Sequence, residues 1–302
     1  MKKFRRHSLR GSYNLFAGYS HCLPGTGGMF LLLVLFLLGS LIGSLTTELL
    51  GMLISKDFVL AYGTIISYPI MFIPPMLYAS VNSRRNDMFE TGYALDSNNF
   101  GKLGGLRMAL IASAATLAAA FVVEPLTALL PPMPKWLEDV MNQLLDGSPL
   151  WATLLSVSVF APLFEEWLCR GIVLRGLLRK MSPAAAICIS AAFFAILHMN
   201  PWQALAAFIL GTLFGYVYYK TGSLKLTMLM HCVNNTLAVV LSKIPSIEDA
   251  ESLSEIMSPW AYAGVAVASI AFIAATCVVL RNIPFTKDGA RSNCDEIPPM
   301  TI

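Results

Sequence analysis

The chain has 302 residues, of which 56% are hydrophobic and only 13% are charged, and its mean hydropathy is +0.64. Soluble domains carry about 25% charged residues, so this composition excludes an ordinary soluble protein and indicates an integral membrane protein. The net charge of +3 is too small to favour nucleic acid, and we expect no nucleic-acid partner.

Eight stretches of the chain approach the length of about 20 mostly apolar residues that a helix needs to cross a bilayer. They are 29–50, 58–80, 106–130, 150–174, 183–200, 202–219, 224–241 and 260–280. The fifth and sixth stretches lie close together and are predicted to form a tight helical hairpin. We therefore expect an all-α fold, a polytopic bundle of about eight transmembrane helices that forms a single membrane domain over residues 1–302.

The lysines and arginines predict the orientation of this bundle. With the N-terminus in the cytoplasm, 17 of the 21 lysines and arginines fall in cytoplasmic segments. Lys56, Lys135 and Lys243 fall in outer segments, and Arg170 lies within a span. Because cytoplasmic loops are enriched in lysine and arginine, we expect both termini to be cytoplasmic.

Residues 132–147 are predicted to form a helix that does not cross the membrane. Its apolar side chains share one face, and they are Trp136, Leu137, Val140, Met141, Leu144 and Leu145. A short apolar stripe of this kind is typical of a helix that lies in the plane of the membrane interface. A soluble linker is the alternative interpretation.

Three ionisable residues, Glu165, Glu166 and Arg170, interrupt the apolar stretch 150–174. Each costs about 2.5–3.5 kcal/mol at the centre of a bilayer, so their presence needs a compensating purpose. Glu166 and Arg170 are four residues apart and can pair on one face of a helix. Glu165 is rotated by about 100° from Glu166, so it can point elsewhere. We predict that Glu166 belongs to a structural ion pair and that Glu165 is available for chemistry.

Two histidines also lie in predicted spans, and each has a companion one helical turn away. His198 follows Phe194 by four residues, and His231 precedes Asn235 by four residues. Because polar residues in spans converge on the bundle interior, we expect these residues to meet Glu165 there. A purely structural role is the alternative for each residue taken singly.

A carboxylate and an imidazole can together activate a water molecule, and an imidazole and a carboxamide can donate hydrogen bonds to the oxyanion of a peptide carbonyl. A carboxylate, two imidazoles and a carboxamide in one place therefore indicate a hydrolase. The two histidines and two glutamates could instead hold a zinc ion, with Glu165, His198 and His231 as the alternative ligands. The residues alone leave both possibilities open.

The chain resembles the CAAX-protease and bacteriocin-processing family, also called the Abi family, which includes the type II CAAX prenyl endopeptidases. Three motifs carry the resemblance, in the family's order and each within a predicted span. They are Glu165-Glu166-Trp-Leu-Cys-Arg170, Phe194-Ala-Ile-Leu-His198 and His231-Cys-Val-Asn-Asn235. The resemblance covers residues 150–241, which would be the catalytic core.

The resemblance implies an intramembrane endopeptidase. Glu165 would activate water with His198, and Glu166 would pair with Arg170 and keep the site, with Phe194, in shape. His231 and Asn235 would stabilise the oxyanion. The family has often been described as metalloproteases, but the glutamate-dependent mechanism needs no metal. We therefore expect no cofactor, with zinc as the alternative.

We expect the substrate to be a peptide or a membrane-anchored protein, and the location to be the plasma membrane of a bacterium. Bacteriocin processing is one role associated with the family. A non-catalytic scaffold or regulator, such as an immunity or sensor-binding protein, is the alternative function. A proton-coupled transporter is a further alternative, although the sequence lacks the two related halves that are common in transporters.

Overall fold

The computed structural model describes residues 16–87, 95–244 and 256–283, and these residues confirm the all-helical fold. The described part contains nine helices of more than one turn. They are α1 (Thr26–Leu53), α2 (Lys56–Asn86), α3 (Gly104–Thr127), α4 (Lys135–Asp146), α5 (Leu150–Leu178), α6 (Pro183–Leu197), α7 (Pro201–Thr221), α8 (Leu224–Leu241) and α9 (Pro259–Arg281). The chain is a polytopic helical bundle.

Six of these nine helices are long and apolar enough to cross a membrane: α1, α2, α3, α5, α8 and α9. The helix α6 is apolar but has only 15 residues. The helix α7 has 21 residues, but polar side chains such as Gln203 and Thr212 dilute its apolar character, and it is not among the six. Eight crossings therefore remain a prediction.

The orientation of the bundle in the membrane, with its N-terminus in the cytoplasm, also stays a prediction. Many of the basic residues that support it lie in 1–15 and 284–302, outside the described residues. Both chain termini also lie outside the described residues, so their cytoplasmic location stays a prediction.

The helix α5 is the centre of the bundle. It is the most buried of the six membrane-length helices, and it contacts α2, α6 and α8. Its turns Leu154–Phe160 and Trp167–Leu174 are π-helical, and they flank the α-helical segment Ala161–Glu166. Such π-helical turns are frequent at functional sites. In this helix they enclose the two adjacent glutamates.

Two helical hairpins pack around α5. The first consists of α1 and α2, which are joined by a short turn, and the second consists of α6 and α7. The α6–α7 turn is tight, as expected, because α6 ends at Leu197 and α7 begins at Pro201. Met199 in this turn has a φ of +54°, a conformation that non-glycine residues seldom adopt. The Asn200 side chain then caps α7 by accepting a hydrogen bond from the Gln203 backbone N–H.

The helix α4 is amphipathic, as expected for residues 132–147. Leu137 is buried, whereas Trp136 and Val140 are exposed on the surface that was predicted to face the membrane interface. The predicted stripe members Leu144 and Leu145 have side chains outside the described part. Two contacts join α4 and the chain before it to the α6–α7 hairpin. The Trp202 indole N–H donates to the carbonyl oxygen of Pro131, and the Gln203 amide donates to the sulfur of Met141.

Candidate active site

The three motifs meet at one cavity inside the bundle. The cavity has a volume of about 380 Å³, and α2, α4, α5, α6, α7 and α8 all contribute to its wall. Its lining includes the predicted residues Glu165, Phe194, His198, His231 and Asn235. The other two predicted residues, Glu166 and Arg170, are fully buried behind it.

Glu166 and Arg170 form a fully buried ion pair, with 2.7 Å between the guanidinium Nη1 and the carboxylate Oε1. The second guanidinium nitrogen donates to the carbonyl oxygen of Gly211 at 2.9 Å. The guanidinium carbon lies 4.6 Å from the centre of the Phe194 ring and 5.5 Å from that of Phe214. Charge pairing, a backbone acceptor and two aromatic faces together compensate for burial of the arginine.

Glu165 is buried to about nine-tenths, and its two carboxylate oxygens have different surroundings. The Tyr68 hydroxyl donates a hydrogen bond to Oε1. Oε2 has no hydrogen-bond partner among the described residues, and it lies 3.8 Å from Nε2 of His231. This separation is too long for a direct hydrogen bond, but both atoms can contact one small molecule in the cavity.

His231 lies between the two glutamates. Its Nδ1 is 3.1 Å from Oε1 of Glu166, while its Nε2 faces Glu165. The Glu166 carboxylate is paired with Arg170 and accepts hydrogen bonds, so Nδ1 of His231 carries a proton. In the neutral ring, Nε2 therefore presents a lone pair to the cavity.

His198 is held by its own helix. Its Nδ1 is 3.0 Å from the Phe194 carbonyl oxygen, which can only accept, so this nitrogen is the donor and Nε2 is the proton acceptor of the neutral ring. The Phe194 ring contacts both imidazoles edge to face, at centroid distances of 5.0 Å to His198 and 5.4 Å to His231. No hydrogen bond or ion pair joins His198 to Glu165 within the described ranges.

Asn235 is anchored to a π-helical turn of α5. Its amide nitrogen donates to the Val157 carbonyl oxygen at 2.8 Å, and its amide oxygen accepts from Asn234. One amide N–H of Asn235 remains for a ligand in the cavity. The carbonyl of Val157 thus sets the orientation of this carboxamide.

The predicted zinc alternative uses Glu165, His198 and His231 as ligands, and all three line the cavity. Among the described residues, no group of three or more His, Cys, Asp or Glu side chains is arranged to hold a metal ion. Glu166 is engaged by Arg170 and His231, and one oxygen of Glu165 is engaged by Tyr68. As placed, these side chains do not form a zinc site; the zinc alternative stays a prediction, and we derive no step through a metal.

Sequence reasoning missed several residues of the cavity wall, above all Tyr68, Met141, Gln203 and Asn234. Tyr68 lies on α2, which none of the three motifs includes. The sequence signal was weak, because Tyr68 stands directly before Pro69 in a stretch that also carries the hydroxyls of Thr64 and Ser67. That signal points to a polar function for the side chain but does not identify its partner.

Residues 147–237 match a family model described as type II CAAX prenyl endopeptidase Rce1-like. The matched segment is similar to that family. It contains all three motifs and confirms the resemblance to the CAAX-protease and bacteriocin-processing family, although it spans less than a third of the 302-residue chain. At the level of the family, the Rce1-like match supports a membrane protease. No curated protein and no solved structure matches the chain.

Proposed function

We propose that the chain is a glutamate-type intramembrane endopeptidase, which hydrolyses a peptide bond of a membrane-associated peptide or protein. We further propose that it acts in the plasma membrane of a bacterium. One observation carries the mechanism: Glu165 lines the cavity, and its Oε2 is a buried atom that has no hydrogen-bond partner in the described chain and lies 3.8 Å from Nε2 of His231. A buried carboxylate with one oxygen held by a hydrogen bond and the other without a partner is suited to act as a general base.

In the proposed reaction, Oε2 of Glu165 takes a proton from a water molecule while the water oxygen attacks the carbonyl carbon of the substrate. The resulting tetrahedral intermediate carries its negative charge on the former carbonyl oxygen. Glu165 then gives the proton to the leaving nitrogen, the C–N bond breaks, and an acid and an amine are released. His198 lines the same cavity and offers Nε2 as a second proton acceptor.

The oxyanion needs hydrogen-bond donors, and two candidates face the cavity. Asn235 has an amide N–H that its bond to Val157 leaves free. His231 can donate from Nε2 when its ring is protonated. Donors fixed by the protein before the reaction stabilise the charge without reorganisation, and the Val157 and Glu166 contacts fix both side chains.

Glu165→Gln is expected to reduce peptide cleavage by about 10²- to 10⁴-fold, because the amide cannot accept the proton from water. His198→Ala should also reduce the rate. The measurement uses purified protein in detergent, quenched fluorescent peptides that carry a hydrophobic anchor, and mass spectrometry of the products. Glu48→Gln is the matched control, because Glu48 lies near the C-terminal end of α1 and is not among the residues that line this cavity.

Equal cleavage rates in the wild type, Glu165→Gln and His198→Ala would refute the proposal. A biological phenotype that persists in Glu165→Gln would favour the scaffold or regulator instead. Metal analysis of the active protein, together with cleavage in the presence of a chelator, tests the zinc alternative. Stoichiometric zinc and loss of cleavage on chelation would contradict the metal-free mechanism.

A further inference from the structure

Tyr68 contacts the proposed general base from outside the family segment. It lies on α2, whereas the family match begins at residue 147. Its hydroxyl donates to Oε1 of Glu165 across 97 positions of sequence. The match therefore says nothing about this residue, and its role has to be inferred from the contact itself.

A stack of aromatic rings fixes where the Tyr68 hydroxyl lies. The Tyr68 ring stacks on Phe72 with 5.8 Å between centroids, and Phe72 stacks on Phe164 with 5.2 Å between centroids. Phe72 is fully buried, and Phe36 of α1 contacts it edge to face. Phe164 directly precedes Glu165. The same stack therefore aligns α2 with the turn of α5 that carries the glutamate.

The hydrogen bond from Tyr68 also restricts the rotation of the Glu165 carboxylate. The last torsion of a glutamate side chain has broad minima, so an unrestrained carboxylate presents either oxygen in many orientations. The hydrogen bond from Tyr68 occupies Oε1. With Oε1 held by Tyr68, Oε2 lies on the side of His231, 3.8 Å from its Nε2.

We propose that Tyr68 is a positioning residue for peptide hydrolysis, which acts by fixing the orientation of the Glu165 carboxylate; this inference rests on the proposed function. The ring stack holds the hydroxyl, the hydroxyl holds Oε1, and Oε2 is left aimed at the attacking water. Tyr68 itself takes no proton and forms no bond to the substrate in this scheme.

Tyr68→Phe is expected to lower kcat for peptide cleavage by about 10- to 100-fold, the range that corresponds to loss of a hydrogen bond to a charged group. KM should change by less than about twofold, because the ring remains and only an interaction with the base is lost. Tyr62→Phe is the matched control on the same helix, since Tyr62 contacts Phe58 and Trp151 through its ring. We expect its kcat and KM to equal those of the wild type.

A double-mutant cycle distinguishes positioning from a general structural role. Glu165→Asp shortens the side chain and withdraws its carboxylate from the Tyr68 hydroxyl. In that background, Tyr68→Phe should change kcat by no more than about twofold, because the interaction is already lost. A reduction in the Glu165→Asp background as large as that in the wild type would overturn the inference, as would a Tyr68→Phe protein that no longer folds.

The outcomes separate this inference from the proposed function. Wild-type protein that cleaves and a Tyr68→Phe variant with unchanged kcat would overturn the role of Tyr68 alone. Wild-type protein that cleaves no peptide would overturn the proposed function and this inference with it. A selective fall in kcat that disappears in the Glu165→Asp background supports both.

Discussion

Replacing Arg170 with methionine is expected to destabilise the folded protein by about 3–5 kcal/mol, the usual cost of removing one partner of a buried ion pair. Both Arg170 and Glu166 are fully buried, so Glu166 would lose its cation without gaining access to water. Among the described side chains, the imidazole of His231 would be its remaining hydrogen-bond partner, and the Gly211 carbonyl would lose its donor. Thermal unfolding in detergent, followed by tryptophan fluorescence, measures the loss.

The double variant Glu166→Gln with Arg170→Met tests the electrostatic origin of this effect. Because it removes both charges, it should be more stable than Arg170→Met alone. Arg84→Met is the control for loss of an arginine as such, since Arg84 is exposed at the end of α2. If Arg170→Met unfolded at the temperature of Arg84→Met, the ion pair would contribute nothing measurable.

Gly39→Ala is expected to destabilise the protein by about 3 kcal/mol, at the upper end of the range for an overpacked site. A Cβ atom at Gly39 would lie 2.1 Å from the backbone oxygen of Met71 and 2.8 Å from its carbonyl carbon. Because the atoms in the way belong to the backbone of Met71, they cannot rotate aside, and α1 and α2 must move apart. Small residues permit this kind of close helix approach in membranes. Met71 is also one turn from Tyr68, so we expect cleavage to fall together with stability.

Gly27→Ala provides the matched comparison on α1, because no atom lies within 4 Å of its added Cβ. It should be neutral or slightly stabilising, since alanine favours a helix over glycine by about 0.5–1 kcal/mol. Unfolding in detergent and peptide cleavage should both be measured for the two variants. Equal unfolding temperatures for Gly39→Ala and Gly27→Ala would contradict the close packing of α1 against α2.

The sequence predicted what depends on local spacing. Long apolar runs predicted the helices, and the four-residue interval between Glu166 and Arg170 predicted their shared helix face. The same interval explains the contact between His198 and Phe194. These relations hold within one helix, where the geometry is known before folding.

The contacts between helices could not be predicted, because they depend on how each helix is rotated and staggered. The position of His231 between Glu165 and Glu166 requires a defined register of α8 against α5. The hydrogen bond from Asn235 to the Val157 carbonyl depends in addition on a π-helical turn, which no residue pattern predicted. Tyr68 reaches the site through an aromatic stack between α2 and α5.

The shortness of α6, one of the predicted crossings, has a consequence for the surrounding lipid. Its 15 residues rise about 22 Å, whereas the hydrocarbon core of a bilayer is about 30 Å thick. Cys188 and Ile196 are exposed on this helix, so lipid would meet it directly. Hydrophobic mismatch of this size is relieved in part by local thinning of the bilayer. Thinning beside α6 would bring the aqueous phase closer to His198 and to the cavity of the proposed active site.

We therefore expect peptide cleavage in vesicles to be faster with short-chain than with long-chain phosphatidylcholine at equal protein density. Glu165→Gln in the same vesicles gives the background rate. A rate that does not change with acyl-chain length would contradict this coupling. The proposed hydrolysis would then draw its water through a bilayer that the protein itself has made thin.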